Sequence, residues 1–299
     1  MAGLWEPVCG VYSSTYSVLP CLQSLIDFGN SSFFTTAFGA LAGAFAGAWA
    51  AQRIAVKNKL QDEISKEVRS TNSALLLGQA IFNIAIACKR DCSLPLKKGF
   101  SEDLEVFSKY GDEFGQNLNR PINLEGYTVS VMPIQELSSL VLTEISSSTK
   151  AVRALIHLQM AIDRYHKAQS QRHDLIRVFQ SETFPKSLRF QDMYFGETYK
   201  GITDTSYRNN IESIGTSTDD MIFYCSKMCD YLYEHVVELK DQYRKITKTT
   251  IKINKLGYSP SFDLSLIPKD ELYAEWLAGH KTVKNPLRKR WWQLINTHN

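Results

Sequence analysis

The stretch that decides the architecture is FFTTAFGALAGAFAGAWAA, residues 33–51, which carries no charged side chain over 19 residues. At 1.5 Å per residue, a helix of this length nearly matches the hydrocarbon core of a bilayer, which is about 30 Å thick. The stretch is built mainly from Ala, Gly and Phe, whereas the buried helix of a soluble protein normally uses Leu, Ile and Val. It therefore predicts a transmembrane helix over residues 33–52.

Glycines recur every four residues in this helix, at Gly39, Gly43 and Gly47, with alanines beside them. Residues four apart lie on one helix face. Small residues on such a face let two membrane helices approach closely, because lipid offers no hydrophobic drive for association. The row predicts a homo-oligomer formed through the transmembrane helix, and a monomeric Ala- and Gly-rich anchor is the alternative.

The cations near this helix lie on its C-terminal side, at Arg53, Lys57 and Lys59, while residues 1–32 hold no Lys or Arg. The positive-inside rule then places the N-terminus outside and the C-terminal part in the cytoplasm. We expect Trp49, Arg53 and Lys57 at the membrane interface. A cleaved signal peptide is the alternative, but it requires a basic region at the N-terminus. The sequence therefore predicts a single-pass membrane protein.

A second apolar segment, SALLLGQAIFNIAIAC at residues 73–88, is shorter than the usual span and contains Gln79 and Asn83. Its length and polar residues favour a helix buried in a protein core. One alternative is a second membrane span, which would place the C-terminal body outside the cell. Another is a segment that enters the membrane only after a trigger.

Apolar residues at helical spacing continue through much of the remaining chain, notably over residues 134–179 and 209–247. The fold is therefore predicted to be mainly α, with a cytoplasmic helical bundle and minor strand or loop content. Residues 183–205 are predicted as loop, and residues 127–132 and 251–266 as strand or extended chain. The predicted layout is an extracytoplasmic segment 1–32, a transmembrane helix 33–52, a juxtamembrane amphipathic helix 53–92, a cytoplasmic helical domain 93–280 and a basic aromatic tail 281–299.

The tail holds five cations and no acid, although the whole chain has a net charge of only +3. Its centre is the run Arg288, Lys289, Arg290, Trp291 and Trp292. Adjacent cations and indoles suit the headgroup region of an anionic leaflet, which makes the bilayer the predicted partner. Nucleic acid, bound through phosphate contacts and base stacking, is an alternative. A basic docking peptide and a solvated tail are two more.

Motifs for nucleotide binding, hydrolysis or zinc binding are not found in the sequence, so no catalytic residue, cofactor, metal or small-molecule substrate is assigned. Cys88 and Cys92, like Cys225 and Cys229, are four residues apart and can share a helix face. Four thiolates could meet around a metal ion, but Cys also serves as a small core residue. A cluster of polar residues lies on one predicted helix and consists of His157, Arg164, His166, Arg172, His173 and Asp174. It is interpreted as a polar helix surface, with a catalytic or nucleotide-contacting patch as the alternative.

The stretch FGALAGAFAGAWAAQRIAVKNKLQDEISKEVRSTNSALLLGQAIFNIAIACK resembles the N-terminal part of single-span bacterial inner-membrane proteins. It also resembles the membrane effectors of bacterial anti-phage systems, particularly retron-associated transmembrane effectors, over residues 30–92. Some of those effectors have two spans. The resemblance implies a toxin-like protein that damages the inner membrane during infection and causes abortive infection.

The expected function is therefore that of a non-enzymatic, membrane-anchored effector of an anti-phage system. Its partners would include a nucleic-acid or protein component of that system. A non-toxic membrane-tethered scaffold or sensor is the first alternative. An enzyme with an unrecognised cytoplasmic site is the second.

Overall fold

The computed structural model describes residues 32–118, 121–127, 131–146, 148–185, 188–254, 257 and 262–279. Of these residues, 81% are helical, which confirms the prediction of a mainly α fold. The α-helices are α1 (Ser32–Cys88), α2 (Leu94–Tyr110), α3 (Ile134–Ser139), α4 (Thr149–Ser181), α5 (Phe190–Phe195), α6 (Ser206–Thr247) and α7 (Ala274–Ala278). A two-stranded antiparallel hairpin joins β1 (Thr198–Tyr199) to β2 (Ile202–Thr203).

Shorter turns continue several of these helices. Single π-helical turns follow α1 and α3, at Lys89–Ser93 and Leu140–Glu144. Turns of 3-10 helix occupy Gly111–Gln116, Leu264–Leu266 and Asp270–Tyr273.

The chain divides into two compact units, Met1–Asp62 and Glu63–Asn299, and the division falls inside α1. In the first unit, the structure describes the helical residues 32–62. The second unit contains the end of α1 and all later elements.

The core of the second unit is formed chiefly by α4 and α6, which pack along each other. Their apolar residues recur at intervals of three and four, so each helix has one continuous buried face. Buried residues of α4 include Ala151, Ala154, Leu155, Leu158, Ala161, Ile162 and Tyr165, and those of α6 include Ile211, Ile214, Met221, Cys225, Met228, Leu232 and Val236. Residues Val68, Leu75 and Ile81 of α1 are fully buried in the same core.

Local interactions fix the helix ends of this unit. The Ser148 hydroxyl accepts a hydrogen bond from the Ala151 N–H at 3.4 Å and caps α4. At α5, the Asp192 carboxylate accepts from the Arg189 N–H at 2.8 Å, and Gly196 ends the helix in the left-handed region at a φ of 76°.

The helical segment 134–179 is divided between Glu144 and Thr149, so it forms separate helices rather than one long helix. Two other predictions of local structure change. The predicted loop over 183–205 contains α5 and the hairpin, both of which are shorter than the periodic patterns that reveal longer elements. The predicted strand at 127–132 has non-strand residues at its described ends, and its middle residues 128–130 lie outside the described part of the chain.

Candidate functional site

No described residue covers the apolar part of α1 in the first unit. Every residue from 36 to 60 is exposed except Ala37, which is half-buried. The large exposed side chains are Phe38, Leu41, Phe45, Trp49, Ile54, Val56 and Leu60. A contiguous apolar surface of this kind is unusual for a soluble monomer and is typical of a surface that contacts lipid or another protein. By length and composition, the described residues include one helix able to cross a membrane, Thr36–Gln116, but the apolar window that meets this criterion is 44% buried and therefore does not lie within the exposed residues 36–60.

The predicted packing residues Gly39, Gly43 and Gly47 lie along this uncovered helix. A Cβ atom added to any of the three would meet no described atom within 4 Å. Within the described chain, the glycine row is therefore an open surface that no other segment occupies.

The predicted interface residues at the C-terminal side of the stretch are also exposed. The guanidinium carbon of Arg53 lies 3.9 Å from the ring centroid of Trp49, which is a cation–π contact. Lys57 follows one turn later and is exposed. The other predicted interface residues, Arg288, Lys289, Arg290, Trp291 and Trp292, lie outside the described residues.

The second apolar segment, residues 73–88, has the opposite environment. Leu75 and Ile81 are fully buried among protein side chains. Gly78 lies so close to α6 that an added Cβ would come within 2.6 Å of the Cys229 sulfur. The burial of this segment favours the core-helix interpretation over a second span.

The two cysteine pairs lie in different places. The Cys225 thiol donates to the Gly78 carbonyl at 3.1 Å, whereas the Cys92 sulfur accepts from Gln169 at 3.1 Å. Gly78 and Cys88 are ten residues apart on one helix, a rise of about 15 Å. Among the described residues, no group of three or more His, Cys, Asp or Glu could hold a metal ion. The structure therefore does not bring the four thiols together.

The buried environment of Cys225 on α6 determines how readily its thiol loses a proton. A hydrogen bond with Cys229, together with burial, raises the pKa of the Cys225 thiol well above its ordinary value. Because the thiolate is the nucleophile and the metal ligand, this pair acts as core packing.

The cluster of polar residues on α4 is not simply a helix surface, because Arg172 is fully buried. Its guanidinium donates to the backbone carbonyls of Glu125 at 2.8 Å and Asn123 at 3.3 Å. It has no ion-pair partner in the described part of the chain. The guanidinium carbon lies 5.4 Å from the ring centroid of Tyr127 and 5.9 Å from that of Tyr207. Arg172 therefore holds the segment that contains Asn123 and Glu125 against α4.

The other cluster members lie at separate positions around α4. The ring of His157 stacks on that of Tyr224 with centroids 5.0 Å apart, and His173 accepts a hydrogen bond from the Tyr127 N–H at 3.2 Å. Asp174 pairs with Arg177 on the exposed side. These contacts explain the cluster structurally and give it no common catalytic centre.

Sequence reasoning missed a set of ion pairs between helices whose members also hydrogen-bond to residues 262–279. Lys89 pairs with Asp219 at 2.5 Å and donates to the Leu266 carbonyl at 2.9 Å. Asp220 accepts from the Tyr273 hydroxyl at 2.9 Å and pairs with Arg164 at 2.5 Å. No local sequence signal distinguishes these residues, because the pairs join positions more than 50 residues apart.

Comparisons with known proteins do not assign a family or a function to this chain. No family model matches the chain, and comparisons with curated proteins and with solved structures likewise find no match. Its function is therefore inferred from its own residues.

Proposed function

We propose that this chain is a membrane-anchored effector of a bacterial anti-phage system of the retron-like type, which perturbs the inner membrane and stops growth on infection. The observation that carries the proposal is the uncovered apolar surface of α1 over residues 36–51. Transferring this surface from water into lipid is favourable, because apolar area leaves water and the backbone groups stay paired within the helix. The defence role is supported by the resemblance over residues 30–92.

The proposed orientation is single-pass, with the N-terminus outside and the second unit in the cytoplasm. It is supported by the exposed cations Arg53 and Lys57 on the C-terminal side of the apolar surface. Trp49 stacked with Arg53 would lie at the headgroup level of the inner leaflet, where an indole and a cation are both favourable.

Assembly is proposed to use the open row of Gly39, Gly43 and Gly47. A partner helix can approach the backbone closely there, since no described atom lies within 4 Å of the added Cβ positions. The second unit would receive the signal from other components of the system.

Induced expression with a membrane-potential dye tests this function in cells that carry the complete system and its trigger. We expect rapid depolarisation with the native chain and a strongly reduced response with Gly43→Ile, which places a branched side chain on the packing row. Gly43→Ala is the matched control, since it keeps the residue small, and it should retain most of the response. If Gly43→Ile depolarises as fast as the native chain at equal expression, the glycine row has no role in toxicity.

A non-toxic membrane-tethered scaffold or sensor is the second candidate. The observation that favours it is the composition of residues 37–51, which are uniformly apolar and offer no polar face to line a pore. Unperturbed growth and membrane potential in the presence of the trigger would select this candidate.

A further inference from the structure

An open pocket lies in the second unit, where α1 passes into the π-helical turn Lys89–Ser93. Its volume is about 380 Å³, and two cysteines, Cys88 and Cys92, line it together with Tyr165. Cys88 is half-buried, and Asp91 at the edge of the pocket is exposed to solvent. A small solute can therefore reach this pair of thiols from water.

The backbone places the two thiols on one side of the helix. The π-helical turn begins directly after Cys88 and contains Cys92. Residues four apart already share a face in an α-helix. A π turn closes hydrogen bonds between residues i and i+5 and so holds more residues per turn, which brings positions four apart closer to lying one above the other. Single π turns of this kind inside α-helices are frequent at functional sites.

Polar groups of α4 surround the two sulfurs. The Gln169 amide nitrogen donates to the Cys92 sulfur and to the Tyr165 hydroxyl, at 3.1 Å in both cases. Burial raises the pKa of both thiols, Cys88 and Cys92, and the Tyr165 hydroxyl opposes this rise at each of them. Two donor groups of α4 therefore favour negative charge on the sulfurs, against the effect of burial.

A buried cation without a counter-ion lies near the same pair. Arg172, which follows Gln169 by three residues on α4, is fully buried and pairs with no carboxylate in the described part of the chain. Its Nε atom is buried and has no hydrogen-bond partner among the described residues. The charge of Arg172 acts on the Cys92 thiol in the direction that favours the thiolate. Because an unpaired buried charge is costly, a negatively charged group at the two sulfurs would be stabilised here.

We infer that Cys88 and Cys92 bind one soft monovalent metal ion, Cu(I), as a two-coordinate bis-thiolate complex. Thiolates are the ligands that select Cu(I) among biological metal ions. On binding, two S–H bonds break, two Cu–S bonds form and two protons pass to solvent, with no change of oxidation state. The complex carries one negative charge, which the guanidinium of Arg172 balances. Two ligands suffice for it, whereas no group of three or more His, Cys, Asp or Glu that could hold a metal ion is found among the described residues.

The second cysteine pair, Cys225 and Cys229, has the same spacing but a different environment. Cys225 has no exposed surface, and its thiol donates to the Gly78 carbonyl at 3.1 Å. This pair is therefore a natural comparison for the first, since spacing alone does not distinguish them. The inferred site lies in the second unit and is independent of the proposed membrane activity.

Competition with the chromogenic chelator bicinchoninate, under anaerobic conditions, measures Cu(I) binding by the full chain in detergent. Cys9→Ser and Cys21→Ser are present in every sample, so that the thiols outside the described residues do not contribute. We expect this parent chain to take one Cu(I) ion from the chelator. Cys88→Ser should weaken binding by about a hundredfold or more, because it removes one of two ligands. Cys229→Ala is the matched control, since it disrupts the other pair, and it should bind like the parent.

The control for folding is circular dichroism of each variant, and Cys88→Ala is measured alongside Cys88→Ser so that a defect of one substitution does not decide the result. Three results would overturn the inference. The first is a parent chain that takes no Cu(I) from the chelator. The second is Cu(I) binding that both folded Cys88 variants retain in full, or that Cys229→Ala abolishes. The third is an X-ray absorption spectrum of the bound copper that shows nitrogen ligands or more than two sulfur ligands.

Discussion

Two apolar stretches of α1 differ in what surrounds them. Residues 36–51 are almost entirely exposed, and Phe45 keeps 75% of its surface accessible. Residues 73–88 place Leu75 and Ile81 completely inside the second unit. Both stretches are helical and free of charge, so neither helix formation nor the absence of charge explains why one is exposed and the other is buried.

The difference lies in which side chains the two stretches use. The exposed stretch alternates Ala and Gly with single large residues, which gives it a smooth surface suited to a helix of the same kind or to lipid. The buried stretch uses Leu, Ile and Phe and turns its polar residue Asn83 outward, as a helix packed on one side does. Side-chain size and the position of polar residues are therefore better guides to the environment of an apolar helix than hydropathy alone.

The largest expected effect tests the buried stretch. Leu75→Ala should lower the free energy of unfolding of the second unit by about 2–5 kcal/mol, because it leaves a cavity in a fully packed site. Leu76→Ala is the matched control, since Leu76 is the same residue type one position later with 54% of its surface exposed. Thermal unfolding followed by circular dichroism in detergent measures both, and equal losses would show that residues 73–88 are not packed as a core helix.

Removing the buried guanidinium of Arg172 should have the next largest effect on the stability of the second unit. Arg172→Met should destabilise the second unit by about 3 kcal/mol, because it removes the two hydrogen bonds that the buried guanidinium donates to the carbonyls of Asn123 and Glu125. Arg177→Met removes a guanidinium from the exposed side of the same helix and should change stability by less than about 0.5 kcal/mol. An Arg172 variant as stable as native would mean that this guanidinium does not hold the segment against α4.

The glycines of α1 allow the two stretches to be compared with one substitution. Gly78→Ala should destabilise by about 1–3 kcal/mol, because the new methyl group collides with the Cys229 sulfur at 2.6 Å. Gly43→Ala meets nothing within 4 Å and should be neutral or slightly stabilising through better helix propensity. Unfolding midpoints of the two variants give the comparison directly, and a stabilised Gly78 variant would contradict the close approach of α1 and α6.

Alkaline pH should destabilise the second unit through its buried tyrosines. Burial raises the pKa of Tyr165 above its usual value of 10.0. The folded-state pKa is therefore the higher one, so this contribution is fully present below pH 10 and is lost as the pH rises further, because the unfolded chain releases the phenol proton first. The slope for one such group is about 1.4 kcal/mol per pH unit.

Replacing Tyr165 with Phe should remove that part of the slope, whereas Tyr110→Phe, at an exposed position, should leave it unchanged. Stability measured between pH 9 and about pH 11 would show the difference. Parallel pH profiles for the native chain and the Tyr165 variant would mean that folding does not raise the pKa of this phenol.

The long helices were predictable because their signals are long: α6 carries buried residues at three- and four-residue intervals over its whole length. The exposure of Gly39, Gly43, Gly47 and Trp49 is consistent with their composition and position in the sequence. The short helix α5 could not, because six residues span fewer than two turns and show no period. The pair of Lys89 with Asp219 and the hydrogen bond from Gln169 to the Cys92 sulfur depend on contacts between distant segments, which a single sequence does not reveal.

The central claim is that the apolar stretch over residues 33–52, which no described residue covers at 36–51, anchors the chain in a bilayer. Alkaline carbonate washing of membranes from expressing cells tests it most directly, with the native chain, Phe45→Lys and Leu75→Ala side by side. We expect the native chain and Leu75→Ala to stay in the membrane pellet, and Phe45→Lys to be released in part, because a charge at the bilayer centre costs about 2.5–3.5 kcal/mol. Release of the native chain into the supernatant would contradict the claim.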